Sequence, residues 1–186
     1  MTNLFTFLKV SHQVSNDRSC ISNATHLVLP GVGSFGEAMR RIRELIPLDA
    51  LHHAVFERRK PFLGICVGMQ VLADTGEEFG THAGLGWIPA RVRRFSDAGL
   101  PIPHIGWNEA RASRSSALLG EHEGLDFYFL HSFVMEPVDS GHVEATTVYG
   151  EAFASIVRRD NIMGVQFHPE KSQKAGMLLI NSFLAL

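Results

Sequence analysis

Helical stripes and short apolar runs take turns along the first part of this chain, and short apolar runs crowd the rest. His26–Leu29 reads as a buried strand, broken by Pro30-Gly31-Val32-Gly33. Ser34 suits a helix N-cap, with Glu37 three residues on completing a capping box. Ala38, Met39, Ile42 and Leu45 then carry the helix to about Ile46. Pro47–Arg59 gives a second helix, with Leu48, Leu51 and Val55 on one face and charge at its end. Pro61 opens an apolar run through Gly64 that is short enough for a buried strand. After it Val67, Met69, Val71 and Leu72 form the apolar side of a helix expected to reach about Thr75, where Gly76 stops it.

Thr75–Gly86 is rich in glycine and charge and reads as a surface loop. Trp87–Phe95, Gly106–Ala112, Leu125–Leu130, Val143–Tyr149, Ala154–Arg158 and Met163–Phe167 are strand candidates, and Leu178–Leu186 closes the chain as a helix. At the front, Ser19–Ala24 fits a helical turn, and Leu4–Val10 fits either a strand or one short helical turn. No repeat or low-complexity linker divides the chain, so residues 1–186 are expected to form a single domain. Helices between the early strands and a crowd of later strands predict an α/β fold. Its central sheet should be mostly parallel, with flanking helices and an antiparallel extension.

Composition narrows the classes. With 45% hydrophobic and 19% charged residues the 186-residue chain reads as globular, and its formal charge of -2 gives no electrostatic case for nucleic acid or an anionic membrane. No apolar run reaches membrane-spanning length and no signal peptide is visible. Two cysteines, Cys20 and Cys66, argue against a disulfide framework and for the reducing cytoplasm. The ten histidines form no metal-ligand spacing, and His52-His53 sits in a polar helical stretch, so neither metal nor cofactor is expected.

Gly64-Ile65-Cys66-Val67-Gly68 changes this picture. A nucleophile between strand and helix, flanked by glycines two residues away on each side, is the elbow arrangement. The turn holds the sulfur at the C-terminal end of the sheet, near the positive end of a helix. A sulfur nucleophile needs a base, and His168-Pro169-Glu170 supplies one. Pro169 biases His168 towards an extended backbone, where residues two apart face the same side. Imidazole can then take the thiol proton and return it to a leaving amine, while the carboxylate fixes its tautomer.

Joined in this order, the segments resemble the triad-type, or class I, glutamine amidotransferases. Within them they look like the glutaminase subunits of imidazole glycerol phosphate synthase. The resemblance is carried by Leu29–Phe35, Leu63–Gln70, Pro103–Asn108, Phe127–Phe133 and Gly164–Ser172. It implies Cys66 as nucleophile, His168 as general base and acid, and Glu170 as its orienter. One oxyanion donor would be the Val67 amide, as elbow geometry requires, and the other Val32 or Gly33. Gln70 matches the substrate-binding glutamine. His131, Ser132 and Phe133 match a segment lying against bound glutamine, although His131 fits a structural histidine equally well. Trp107 and Asn108 match positions at the partner surface, with Trp107 equally suited to a core, and Lys171 is either a partner contact or solvated. The implied partner is the cyclase subunit of the synthase, in a heterodimer that supplies ammonia to histidine biosynthesis; no cofactor is implied. A paralogue feeding sugar amidination shares these residues, and a catalytically silent docking subunit would share the fold.

The chain departs from the pattern at the front. The family has a strand and a crossover helix before the segment resembling Val14–Asp17. A parallel crossover needs roughly a dozen residues or more, so both do not fit and the first strand and helix read as shortened. Leu4–Val10 is expected either to fill the strand slot or to leave an apolar edge.

Overall fold

The computed structural model describes residues 1–96, 99–113, 115–122 and 124–186. The ambiguous front is helical: α1 spans Thr2–Phe7, and no strand forms between residues 4 and 10. Leu4, Phe5 and Leu8 share one helical face and pack, half-buried, against the core. Helix α2 (Arg18–Asn23) follows, then strand β1 (Leu27–Gly31). Pro30 continues this strand instead of breaking it. A proline lacks only the N–H, and β1 lies at the edge of its sheet where that donor is not needed.

Helix α3 (Phe35–Leu45) starts at Ser34, but the expected capping box is absent. The Ser34 side chain caps nothing, and Glu78, from a distant loop, accepts the Phe35 N–H at 2.8 Å. Glu37 instead binds Arg40 and Arg41 along the helix surface. Helix α4 (Leu48–His52) runs on as a π turn over His53–Glu57. Strand β2 (Phe62–Cys66) is buried along its whole length and leads directly into α5 (Val67–Gln70).

Helix α5 is one turn long and does not reach the expected Thr75. The carbonyls that would prolong it are taken by the returning chain: Val71 O accepts from Leu85, Leu72 O from Trp87 and Ala73 O from Gly86. Within the expected surface loop, β3 (Thr75–Gly76) and β4 (His82–Ala83) form a small ladder. Then come β5 (Ala90–Arg94), β6 (His104–Ala112), β7 (Gly124–His131), β8 (Phe133–Pro137), β9 (Val143–Tyr149), β10 (Glu151–Arg159), β11 (Ile162–Val165) and α6 (Gln173–Leu184).

The main sheet has seven strands in the order β1-β2-β11-β10-β9-β6-β7, and a second has four, β4-β3-β5-β8. Parallel pairing in the main sheet is confined to β1, β2 and β11; the remaining strands make the antiparallel extension. The core fills with Phe35, Phe62, Leu63, Ile65, Phe127, Phe129, Phe167 and Phe183, all nearly inaccessible. Phe127 and Phe167 stack with ring centres 3.8 Å apart, which ties β7 to the segment after β11.

Glycines let the elbow sit close against β1. A Cβ on Gly68 would overlap the Leu29 carbonyl oxygen, and one on Gly64 would overlap the Gly68 carbonyl. Both obstacles are backbone, so no side-chain rotation relieves them. Gly68→Ala is therefore expected to destabilise the chain by on the order of 3 kcal/mol or more. Urea unfolding measures this, and a stability within about 0.5 kcal/mol of the parent would show that β1 and the elbow are not in this contact.

Candidate active site

Strand register assembles the site. In the parallel trio Gly31 lies opposite Cys66 on β2, and Ile65 lies opposite Val165 on β11. The residues that leave the C-terminal ends of these strands therefore converge: Val32 and Gly33 from β1, Cys66 from β2, and Gln166 to Glu170 from β11. Cys66 takes φ 56° and ψ −116°, a conformation costly for a residue with a Cβ. The flanking glycines and the packed strand hold it there. The sulfur lies 3.9 Å from the Leu130 carbonyl oxygen and 3.9 Å from Gln166 Nε2.

His168 is 6% exposed and its Nδ1 lies 2.9 Å from Glu170 Oε1. The carboxylate is acceptor only, so Nδ1 carries the proton. Its Nε2 is buried without a hydrogen bond among the described residues, which leaves that nitrogen for the sulfur. Burial works against a charged ring, yet Cys66 and Glu170 together raise its pKa to about 9. Burial likewise opposes the Glu170 charge, but the bond from His168 keeps its pKa below the usual carboxylate range.

The loop bearing His168 is clamped to β7. The His168 N–H donates to Tyr128 O at 2.9 Å, the Ser172 hydroxyl donates to His168 O at 2.6 Å, and the Tyr128 N–H donates to the same hydroxyl at 3.0 Å. Nothing in the polar sequence around Ser172 signals this clamp or its 1% exposure. Lys171 lies over the Tyr128 ring, 5.4 Å from its centre.

The remaining sequence-singled residues fall into three places. Val67 follows the sulfur and is buried. Val32 has its side chain in solvent, 83% exposed, and Gly33 takes φ 93° with open space where a Cβ would stand. Gln70, His131 and Phe133 come together: Gln70 Nε2 and His131 Nδ1 both donate to Phe133 O, at 3.1 and 2.9 Å. Ser132 O accepts from the Phe95 N–H. Trp107, half-exposed, is opposed in register to Tyr128, and the exposed Ile105 to Leu130. Asn108 faces the other side of β6, where its amide binds His104 Nε2 and Val148 O.

The raised pKa of His168 carries a sign. A histidine that is harder to deprotonate when folded stabilises the fold below its unfolded pKa of about 6.5, and that contribution is lost as pH rises through about 9. Titration of the His168 ring by NMR is expected near pH 9, and Glu170→Gln should move it downward while slowing catalysis about tenfold or more. A ring titrating near pH 6.5 in both forms would contradict the geometry.

The model of the family "Glutamine amidotransferase class-I" matches residues 5–186. The chain belongs to this family. Within it, the chain is 46% identical over 179 residues to the imidazole glycerol phosphate synthase subunit HisH of Salinibacter ruber, covering 92% of this chain and 82% of the relative. It is 48% identical over 170 residues to HisH of Zymomonas mobilis, covering 88% and 78%. It thus groups with the HisH subunits. Among solved structures, a crystal structure of a glutamine amidotransferase superposes with a TM-score of 0.75 at 20% identity, covering 99% of this chain and 90% of that one. A glutamine amidotransferase from Thermotoga maritima gives 0.63 at 16%, covering 100% and 76%. These likenesses concern the fold.

Proposed function

We propose that the chain, folded as one domain in the cytoplasm, is the glutaminase subunit of an imidazole glycerol phosphate synthase. It hydrolyses glutamine to glutamate and ammonia, with Cys66, His168 and Glu170 as the triad. The observation that carries the reading is the convergence of a strained elbow cysteine with a His168–Glu170 pair at 2.9 Å. His168 Nε2 takes the thiol proton, the Cys66 sulfur attacks the side-chain amide carbon, and the carbonyl oxygen takes up the charge. The Val67 N–H and one from Val32 or Gly33 are the donors placed around that oxygen. His168 gives its Nε2 proton to the departing amine, and the C–N bond breaks with release of ammonia. His168 then takes a proton from the water that attacks the thioester, the C–S bond breaks, the proton returns to the Cys66 sulfur, and glutamate leaves. Gln70 and the His131–Phe133 turn border the space for glutamine.

The partner reading rests on the sheet face beside the nucleophile. Ile105, Trp107 and Leu130 are exposed there at 57%, 49% and 39%, and the Leu130 carbonyl reaches the sulfur. An apolar patch at the mouth of an ammonia-releasing site suits a subunit that must receive the ammonia before it escapes. That subunit is the cyclase, docked over Trp107 with Lys171 and the strand bearing Asn108 at its margin. Incubation with glutamine, with and without the co-encoded cyclase, tests the reading: glutamate and ammonia should form, and imidazole glycerol phosphate only with the partner. No glutaminase activity in either mixture would leave the silent docking subunit.

A further inference from the structure

Behind the nucleophile runs a buried chain of hydrogen bonds that the triad does not use. His104 Nδ1 lies 3.2 Å from His131 Nε2, and both rings are nearly inaccessible. His131 Nδ1 meets Phe133 O at 2.9 Å, and Gln70 Nε2 meets the same carbonyl at 3.1 Å. Gln70 Nε2 also reaches Gln166 Oε1 at 3.1 Å, and Gln166 Nε2 reaches the Cys66 sulfur at 3.9 Å.

Backbone groups fix the direction of this chain from both ends. A carbonyl oxygen only accepts, so His131 carries its proton on Nδ1 and Gln70 turns its NH2 to Phe133. Gln70 then donates to Gln166 Oε1, which leaves the Gln166 NH2 facing the sulfur. At the far end, Asn108 Oδ1 accepts the Glu109 N–H at 2.9 Å and Asn108 Nδ2 donates to Val148 O at 3.0 Å. Its NH2 therefore faces His104 Nε2, at 3.3 Å, as an acceptor. His104 must then carry its proton on Nδ1 and donate to His131 Nε2. Both ends demand the same tautomers. Protonating either ring would set N–H against N–H, and burial pushes His104 down to about 4 and His131 to about 3, so both stay neutral at pH 7.

We propose that the His104–His131 pair is a positioning element for the nucleophile: through Phe133 O it fixes the Gln70 amide, Gln70 fixes Gln166, and Gln166 presents an N–H to the Cys66 sulfur. This deepens, and rests on, the reading of Cys66 as nucleophile. An N–H aimed at sulfur favours its anionic form, so breaking the chain at His104 lowers the reactivity of a residue it does not touch. The aromatic cage of Phe95, Phe129, Tyr149 and Phe153 around His104 keeps water from replacing the missing donor.

The test compares His104→Asn with His104→Leu in the full chain. Asparagine is the smaller of the two and loses more packing, but only its amide can donate in place of Nδ1, so reactivity kept in it and lost in the leucine variant reports the hydrogen bond and not the packing. Alkylation of Cys66 by iodoacetamide should stay within about threefold of the parent in the asparagine variant and fall about tenfold in the leucine variant. Equal rates in the two variants would reduce the pair to packing and overturn the proposal. A parent protein whose Cys66 is no more reactive than Cys20 would instead overturn the nucleophile assignment. On the unmodified chain, nitrogen NMR of the rings at pH 7 should show both histidines neutral with the proton on Nδ1. Either ring protonated, or carrying its proton on Nε2, defeats the proposal even if the variants do not fold.

Discussion

Cys66→Ala is expected to lower glutamine hydrolysis by about 10⁴-fold or more while leaving the fold in place. Alanine keeps the Cβ that the elbow already accommodates at φ 56° and removes only the sulfur. No other thiol can substitute, since Cys20 lies on α2, whose Ile21 and Ser22 carbonyls accept from Lys60 just before the N-terminal end of β2, the end opposite Cys66. With the proposed cyclase partner, synthesis from external ammonium salts should survive the same change, because on that assignment the cyclase chemistry lies in the other subunit. Ammonia release at a rate near that of the parent would remove Cys66 from the mechanism.

Glutaminase activity is expected to rise at least about a hundredfold when the cyclase and its ligand are present, the worth of one aligned oxyanion donor, about 3 kcal/mol. The donor from Val67 is held inside a buried turn, whereas the one from Val32 or Gly33 sits on a loop with its side chain in solvent. Gly33 at φ 93° has space around it, so the loop is not fixed by packing. A partner seated on the adjacent face can select the backbone arrangement with both donors aligned. Gly33→Ala disfavours that left-handed conformation without a clash. It should therefore lower the stimulated rate more than it weakens glutamine affinity. An isolated chain already working at the stimulated rate would show that the loop needs no partner.

The parts of the site that are local in sequence were legible there. A five-residue elbow and a three-residue His-Pro-Glu run carry their geometry in their own spacing, and the structure converges them. Contributions that cross long stretches of chain were not. The cap of α3 comes from Glu78, 43 residues from Phe35, and the Gln70–Gln166 bond spans 96 residues. Neither leaves a periodic trace. The early end of α5 had the same cause, because residues 84–87 compete for its carbonyls in a way that the apolar spacing of Val67, Met69, Val71 and Leu72 could not announce. Short strands such as β3 and β4, two residues each, lie below what alternation can reveal. At the front, Leu4–Val10 fitted both periods, and helix α1 formed where the side chains could cover the core.

The most direct measurement of the central claim is covalent trapping with an electrophilic glutamine analogue, followed by peptide mapping. Labelling is expected at Cys66 alone, blocked by excess glutamine, slowed by Glu170→Gln, and matched molecule for molecule by loss of ammonia release. Full glutaminase activity in protein with Cys66 labelled, or loss of activity with the label elsewhere, would contradict it.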